Sequence, residues 1–481
     1  VSLTDLRRQF LVASSKWQAF CREHDDWRRF CGGLRALLMA ADAAGSAEAT
    51  NDCSLHDWMA KALSETLSED DCARVAEAGL DGHSPRPFQQ EVADVPDRVA
   101  VVQAGCGSGK TSAAYLWAQR HAVGRKLFFC YPTTGTSTEG FKDYLAGASV
   151  LTDLVHSRAH IDLEHIQYSP EDDDLDALLR ADSLRSWAPR ITACTVDTVI
   201  ALARNCRRGM YSSPSLFSGA FVFDEVHSYD TRLFEGLLLL MEALPGADFL
   251  LLSASIQPAR RAVIEEHFPN ARWIDGPADW EELPRYRLAR DDEDSCREQV
   301  AEVLADGGKV LWISNTVARA CSAAEDVERT PVLVYHSRFR YQDRAALHRQ
   351  VVDSFKEPGA VLACTTQVAE MSLNIDADLM VTDLAPVPSL IQRLGRLNRR
   401  ATVDNPSPPR PALLLEPKNP APYSTDDLDT ARTWIESLGE GPVSQADLKE
   451  AWHAVDSGAV SSLRGGCEWL DTGWISWPGE V

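Results

Sequence analysis

The chain changes texture near residue 86. Before it, apolar positions recur at helical spacing between polar breaks, and LRALLMAADAAGSAEA reads as an apolar helix. From Phe88 onward the pattern becomes short, continuous apolar runs, each closed by a Gly-, Thr- or Ser-rich turn and then a helical stretch. Examples are RVAVVQAGCGSGKT, KLFFCYPTTGTST, ITACTVDTV, GAFVFDEVH and DFLLLSASI. Runs apolar on both faces belong to strands covered on both sides, so this pattern predicts a parallel sheet flanked by helices. It pauses over the Pro- and charge-rich stretch 269–294. It then resumes with GKVLWISNT, TPVLVYHS, GAVLACTTQ and DLMVTDLAP, and DNPSPPRPA marks its end. The predicted fold class is α/β: two tandem parallel-sheet domains at 86–275 and 285–410. A helical segment at 1–85 precedes them, and a mixed segment at 411–481 follows, with a helix at TDDLDTARTWIESLG.

Composition changes this picture little. The chain has 481 residues, 44% hydrophobic and 25% charged, as in ordinary globular proteins. Even FEGLLLLMEAL is too short to span a bilayer, and VSLTDLRRQF lacks the apolar core of a secretory signal. Twelve cysteines without a Cys-x-x-Cys pair read as reduced thiols, and the expected location is the cytoplasm. The formal net charge of −23 argues against loose coating of nucleic acid. It is compatible with a strand gripped in one groove, since QRLGRLNRR concentrates positive charge locally.

The chemistry starts at AGCGSGKT, residues 104–111, between an apolar strand and a helical pattern. Gly107 and Gly109 permit the tight turn, and amides there, with Ser108, face phosphate oxygens at a helix N-terminus. Lys110 would reach the β- and γ-phosphates of ATP, and Thr111 would offer its hydroxyl to Mg²⁺. Upstream, RPFQQE places Gln89 to read the adenine edge, with Phe88 packing nearby. The strand GAFVF then delivers Asp224 and Glu225 at its carboxyl edge, where ligands of parallel sheets sit. Asp224 would hold the metal opposite Thr111, and Glu225 would orient and deprotonate the attacking water. Ser253 and Ser255, closing the next strand, could link nucleotide state to the rest of the domain through His227.

In the second domain, QRLGRLNRR begins at Gln392 on the helix implied by PSLIQRLGRLNRR. Arg396 and Arg399, three apart, would share a helix face and meet the charge that develops on a transferring phosphoryl group.

The series RPFQ, AGCGSGKT, PTTGTS, TVDTV, DEVH, SAS, ISNT, TQVAEMSLNID and QRLGRLNR resembles, in its order, the superfamily 2 helicases over residues 86–400. The wording of DEVHSYD, YHSRF, TQVAEMSLNID and PSLIQRLGRLNR is similar to the CRISPR-associated helicase–nucleases of type I interference systems. The resemblance implies two RecA-like domains and an ATP-dependent translocase moving 3′ to 5′ on single-stranded DNA. It places Gln392 with Arg396 and Arg399 in the catalytic set. It puts Pro132, Thr133, Thr195, Asp197, His336, Ser337 and Thr366 on the DNA-facing side, and His227, Ser253, Ser255 and Asn374 in coupling. The family has Ser-Ala-Thr where this chain has Ser253-Ala254-Ser255, which keeps the hydroxyl. It has Asp where Asn374 stands, so a charge is lost there.

The family's nuclease is an HD domain. REHDDW carries His24-Asp25, but about 85 residues with no upstream histidine are too few for that metal set. Residues 1–85 are therefore read as the tail of such a domain, with Asp42 and Ser46 near its closing positions, and nuclease activity is not expected of this chain. The expected partners are single-stranded DNA, an RNA-guided CRISPR targeting complex and a separate HD nuclease, with no membrane. The alternatives are a general or RNA helicase of the same superfamily, and a nucleotide-gated bridging module that does not unwind.

Overall fold

The computed structural model describes residues 3–45, 55–80, 82–134, 137, 150, 152–155, 184, 186–325, 331–371, 373–455 and 467–471. Fourteen strands among these form two seven-stranded sheets. The first contains β1 (Val99–Gln103), β2 (Lys126–Tyr131), β3 (Thr152–Val155), β4 (Ile191–Thr195), β5 (Gly219–Phe223), β6 (Asp248–Ser253) and β7 (Arg272–Asp275). Its order is β3-β4-β2-β5-β6-β1-β7, and every pairing is parallel. The second contains β8 (Tyr286–Asp291), β9 (Lys309–Ile313), β10 (Val332–Tyr335), β11 (Val361–Thr365), β12 (Leu379–Asp383), β13 (Arg410–Leu415) and β14 (Pro442–Val443). Its order is β10-β11-β9-β12-β13-β8-β14, parallel except for β14 against β8.

The continuous apolar runs are the central strands. β1, β2, β4, β5, β11 and β12 are buried at every position, with helices on both faces. The stretch read as a pause contains two strands, β7 and β8. Both carry exposed charged positions, so their apolar signal is broken: β7 is an edge strand, and β8 adjoins the short antiparallel β14.

The predicted helix near the C-terminus runs Thr425–Leu438, with the Ser424 side chain accepting from Asp427 N. Leu428, Trp434, Val443, Leu448 and Trp452 belong to the same apolar core as β11 and β12's neighbours Leu384 and Leu390. Residues 467–471 instead join the core of the first sheet. Trp469 Nε1 donates to Gly32 O at 2.9 Å, holding helix Asp25–Gly45 against that domain. No described helix is long and apolar enough to cross a membrane.

The phosphate loop, the acidic pair and SAS follow the carboxyl ends of β1, β5 and β6, as parallel order requires. Strand β6 lies between β5 and β1, which sets the end of SAS between the acidic pair and the phosphate loop.

Candidate active site

The turn after β1 is shaped by Gly107 and Gly109, with φ of +83° and +97°, where a side chain would be strained. Helix Lys110–His121 starts directly after Gly109. Buried Lys110 curls into the turn, its Nζ donating to Ala104 O at 2.6 Å and Gly105 O at 3.2 Å. Ser108 Oγ donates to Gly105 O at 2.8 Å, and Thr111 is half-buried in the first helical turn. A cation surrounded by loop carbonyls beside a helix N-terminus is a cradle suited to phosphate oxygens. The helix Pro87–Asp94 braces it: Gln89 accepts from Arg86 N at 2.9 Å and donates to Gly109 O at 3.2 Å. Phe88 is buried in the core below.

Past β5, Asp224 Oδ1 accepts from Glu225 N at 2.9 Å, and Glu225 itself sits at φ +51°. That left-handed backbone is unfavourable for a residue with a side chain and aims two adjacent carboxylates into one place. Burial, reinforced by the Glu225 charge, pushes Asp224 up to about 7 despite Lys110. Burial also raises Glu225, but His227, Lys110, Arg396 and Arg399 together outweigh it and hold Glu225 below its ordinary range. Neighbouring carboxyls driven apart in this way can take different roles, one ionised and one awaiting a cation.

His227 joins three motifs. Its Nδ1 lies 3.1 Å from Ser253 Oγ, and its Nε2 lies 2.8 Å from Gln392 Nε2 of the second domain. The Ser253 hydroxyl proton is already given to Ser255 O at 2.7 Å, so Nδ1 carries the imidazole proton and Nε2 accepts from the Gln392 amide. Burial lowers the pKa of His227, in keeping with a neutral ring. Ser255 enters this chain through its carbonyl.

The arginines depart from the expected helical arrangement. Helix Val387–Leu394 stops at Gly395, Leu397 forms a bridge to Ala377, and Asn398 has φ +50°. Arg396 and Arg399 therefore stand on successive turns instead of one helix face. Arg396 Nε and Nη2 donate to Ala369 O at 3.0 Å and Glu370 O at 2.6 Å. Arg399 is anchored by its amide, which donates to Asp376 Oδ1 at 2.7 Å, and its buried Nη1 has no hydrogen-bond partner among the described residues. Its side chain lies on the phosphate loop: a β-carbon placed on Gly107 would be 3.4 Å from Arg399 Cγ. Gly395 meets the same loop, where its own β-carbon would come within 2.6 Å of Cys106 Cβ.

Sequence reasoning missed Arg393. It is fully buried, with Nε donating to Glu370 Oε1 (2.9 Å), Nη1 to Thr382 Oγ1 (2.8 Å) and Nη2 to Asn315 Oδ1 (3.1 Å). The motif QRLGRLNRR contains it, but spacing alone does not show which arginine turns inward. Asn374 is exposed, and Asp376, two residues on, is the acid that holds Arg399.

The expected strand-facing residues fall elsewhere on the same edges. Half-buried Pro132 and exposed Thr133 follow β2. Thr195 ends β4, its Oγ1 3.3 Å from that of Thr198, and Asp197 is exposed in the next turn. His336, stacked on Phe339 at 4.3 Å, and exposed Ser337 follow β10, and buried Thr366 follows β11. In both sheets the strand order sets these positions to one side of the cleft residues.

Near the N-terminus, exposed His24 bonds Phe20 O at 3.0 Å, Asp25 pairs with Arg29, and Asp42 is exposed; Ser46 lies outside the described residues. Among the described residues no three His, Cys, Asp or Glu side chains gather as a metal-binding group.

Comparison with known proteins fits this geometry. Residues 306–402 match the family described as CRISPR-associated nuclease/helicase Cas3, C-terminal. A Myxococcus xanthus protein described as a CRISPR-associated nuclease/helicase Cas3 is 47% identical over 467 residues, covering 94% of this chain and 61% of that protein. The crystal structure of T. fusca Cas3-ADP shares the fold with a TM-score of 0.65 at 20% identity, over 86% of this chain and 56% of that one. A chain in the structure titled CRISPR RNA-guided surveillance complex, pre-nicking, does so at 0.56 and 20%, over 82% and 53%. The chain thus spans 61% of the curated relative's length and just over half of each solved chain. Over 94% of its length the chain thus resembles the CRISPR-associated nuclease/helicases, whose C-terminal family model it matches at residues 306–402.

Proposed function

We propose that this chain is an ATP-dependent translocase and helicase that moves 3′ to 5′ on single-stranded DNA during CRISPR interference. The observation that carries the reading is Glu225, an ionised carboxylate within the field of Lys110 from its own domain and of Arg396 and Arg399 from the other. Hydrolysis of a phosphoanhydride needs this set: a base for water, and cations around the developing charge.

ATP would lie with its phosphates on the amides of Gly107, Ser108 and Gly109 and on Lys110, with Gln89 at the adenine edge. The residues fit a magnesium ion. Asp224 is a half-buried carboxyl whose upward shift a divalent cation would reverse, and the Thr111 side chain stands in the first turn of the adjoining helix. When bound, the ion would neutralise phosphate charge. Glu225 takes the proton from the attacking water. Arg399, with an uncommitted Nη1 at the loop, meets the transferred group, while Arg396 holds the turn that presents it. Gln392 reports closure to His227, and Ser253 and Ser255 pass it into the first sheet. Asn374 stands beside Asp376 in the coupling segment.

Pro132, Thr133, Thr195, Asp197, His336, Ser337 and Thr366 would grip the strand through hydroxyls and backbone groups, without reading bases. Opening and closing of the cleft would alternate the two grips. An RNA-guided surveillance complex is the partner that the likeness to the pre-nicking assembly supports, and a separate nuclease would complete cleavage.

The test is ATP hydrolysis with and without single-stranded DNA or RNA, on the unchanged chain and Glu225→Gln. Loss of a positioned base is expected to lower turnover by ~10²-fold or more. Equal turnover would overturn the base assignment, and stronger stimulation by RNA would overturn the DNA reading.

A further inference from the structure

We propose that Trp280 and Arg285, on the stretch joining the two sheets, are positioning residues that hold Arg399 against the phosphate loop; this rests on the function proposed above. The contacts form a closed ring. The Trp280 indole Nε1 donates to Cys106 O at 3.3 Å, and a β-carbon on Gly107 would be 3.0 Å from its Cζ2. The Arg86 guanidinium lies 5.4 Å from the ring centroid while its Nη1 donates to Ser108 O at 3.0 Å. The Arg285 guanidinium lies 4.1 Å from the same centroid. Arg285 Nη1 then donates to Asn398 O at 3.1 Å and Ala401 O at 2.7 Å, the backbone flanking Arg399. The Asn398 side chain returns a bond to Arg285 O at 3.1 Å. Arg399 closes the ring on Gly107.

The next residue fixes the phase of this device. Glu281 Oε1 accepts from Gly105 N at 2.6 Å, so the linker is bonded to the loop at its start as well as stacked on its middle. Arg285 is 1% exposed, and its Nε and Nη2 have no hydrogen-bond partner among the described residues. The Trp280 ring is thus a principal contact of this buried cation, and the attraction of a guanidinium to an indole face is strongest when both are desolvated. Trp280 cannot shift without moving the turn that carries Arg399. The linker therefore works as a gauge: it sets the distance between the loop that holds phosphate and the arginine that meets it.

The experiment is steady-state ATPase with single-stranded DNA on the full chain, comparing Trp280→Ala and Trp280→Phe, each alone and combined with Arg399→Ala. Trp280→Ala is expected to lower kcat by at least ~10-fold with KM for ATP changed less than ~3-fold, the signature of an effect confined to the transition state. In the Arg399→Ala background the same change is expected to cost less than ~2-fold, because the residue it acts through is gone. Trp280→Phe keeps the stacked ring and is expected to restore most of kcat. Equal losses in both backgrounds, or an unchanged kcat in Trp280→Ala, would overturn the proposal. Should Trp280→Ala fail to fold, Trp280→Leu takes its place beside Trp280→Phe, and equal kcat in those two would overturn it as well. Glu225→Gln, measured alongside, separates this failure from failure of the ATPase reading itself.

Discussion

The imidazole of His227, rooted in the first domain, accepts a hydrogen bond at 2.8 Å from the amide of Gln392, rooted in the second. The bond exists only while the cleft is closed and only while the ring is neutral.

Gln392→Ala should therefore weaken closure and not folding. One hydrogen bond of about 1 kcal/mol corresponds to a roughly fivefold fall in the ratio of ATP turnover with DNA to turnover without it. The ratio in the unchanged chain should persist as pH falls through 6.5, because burial holds the ring's folded-state pKa below that ordinary value. An unaltered ratio in Gln392→Ala would remove the residue from the coupling chain.

Two arginines six residues apart should fail in opposite ways. Arg393→Ala leaves Glu370 buried opposite no charge and should cost about 3–5 kcal/mol, seen as a lower denaturant midpoint. Arg399→Ala removes a half-buried side chain held mainly by its backbone, so the midpoint should move by no more than ~0.5 kcal/mol. Its turnover should nonetheless fall by ~10²-fold or more.

Acid should loosen the N-terminal helices through Asp71. Burial disfavours its charge, but Ser68 and the Arg190 and Arg74 side chains outweigh that and bring it from 3.8 to about 2. Because the folded value lies below the unfolded one, the stabilisation is complete above pH ~4 and lost as pH falls toward ~2. It amounts to roughly 2 kcal/mol at neutrality. Asp71→Asn should remove that amount at pH 7 and flatten the acid limb of stability measured by urea unfolding.

The sheets were legible because their strands are buried on both faces, so GAFVF and VLACT are apolar without interruption. β7 and β8 were not, because exposed positions break their pattern with charge. The phosphate loop and acidic pair could be read from spacing, since their chemistry is local: Gly107, Lys110, Asp224 and Glu225 act within one turn of their own backbone. Arg393, Trp280 and Glu281 could not. Their roles depend on which distant segment folds against them, as when Glu281 reaches Gly105 N across 176 positions. The helix through QRLGRLNRR was overextended for the same reason: Gly395 ends it where Cys106 of the other domain leaves no room for a β-carbon.

The chain passes between the sheets at residues 276–285. Its described end, 467–471, is packed again on the first domain, after helices that share the second domain's core. The first domain is thus held at two places, by the linker residues Trp280 and Glu281 on its phosphate loop and by Cys467, Trp469 and Leu470 in its core, so drawing the two sheets apart has to break or carry along both sets of contacts.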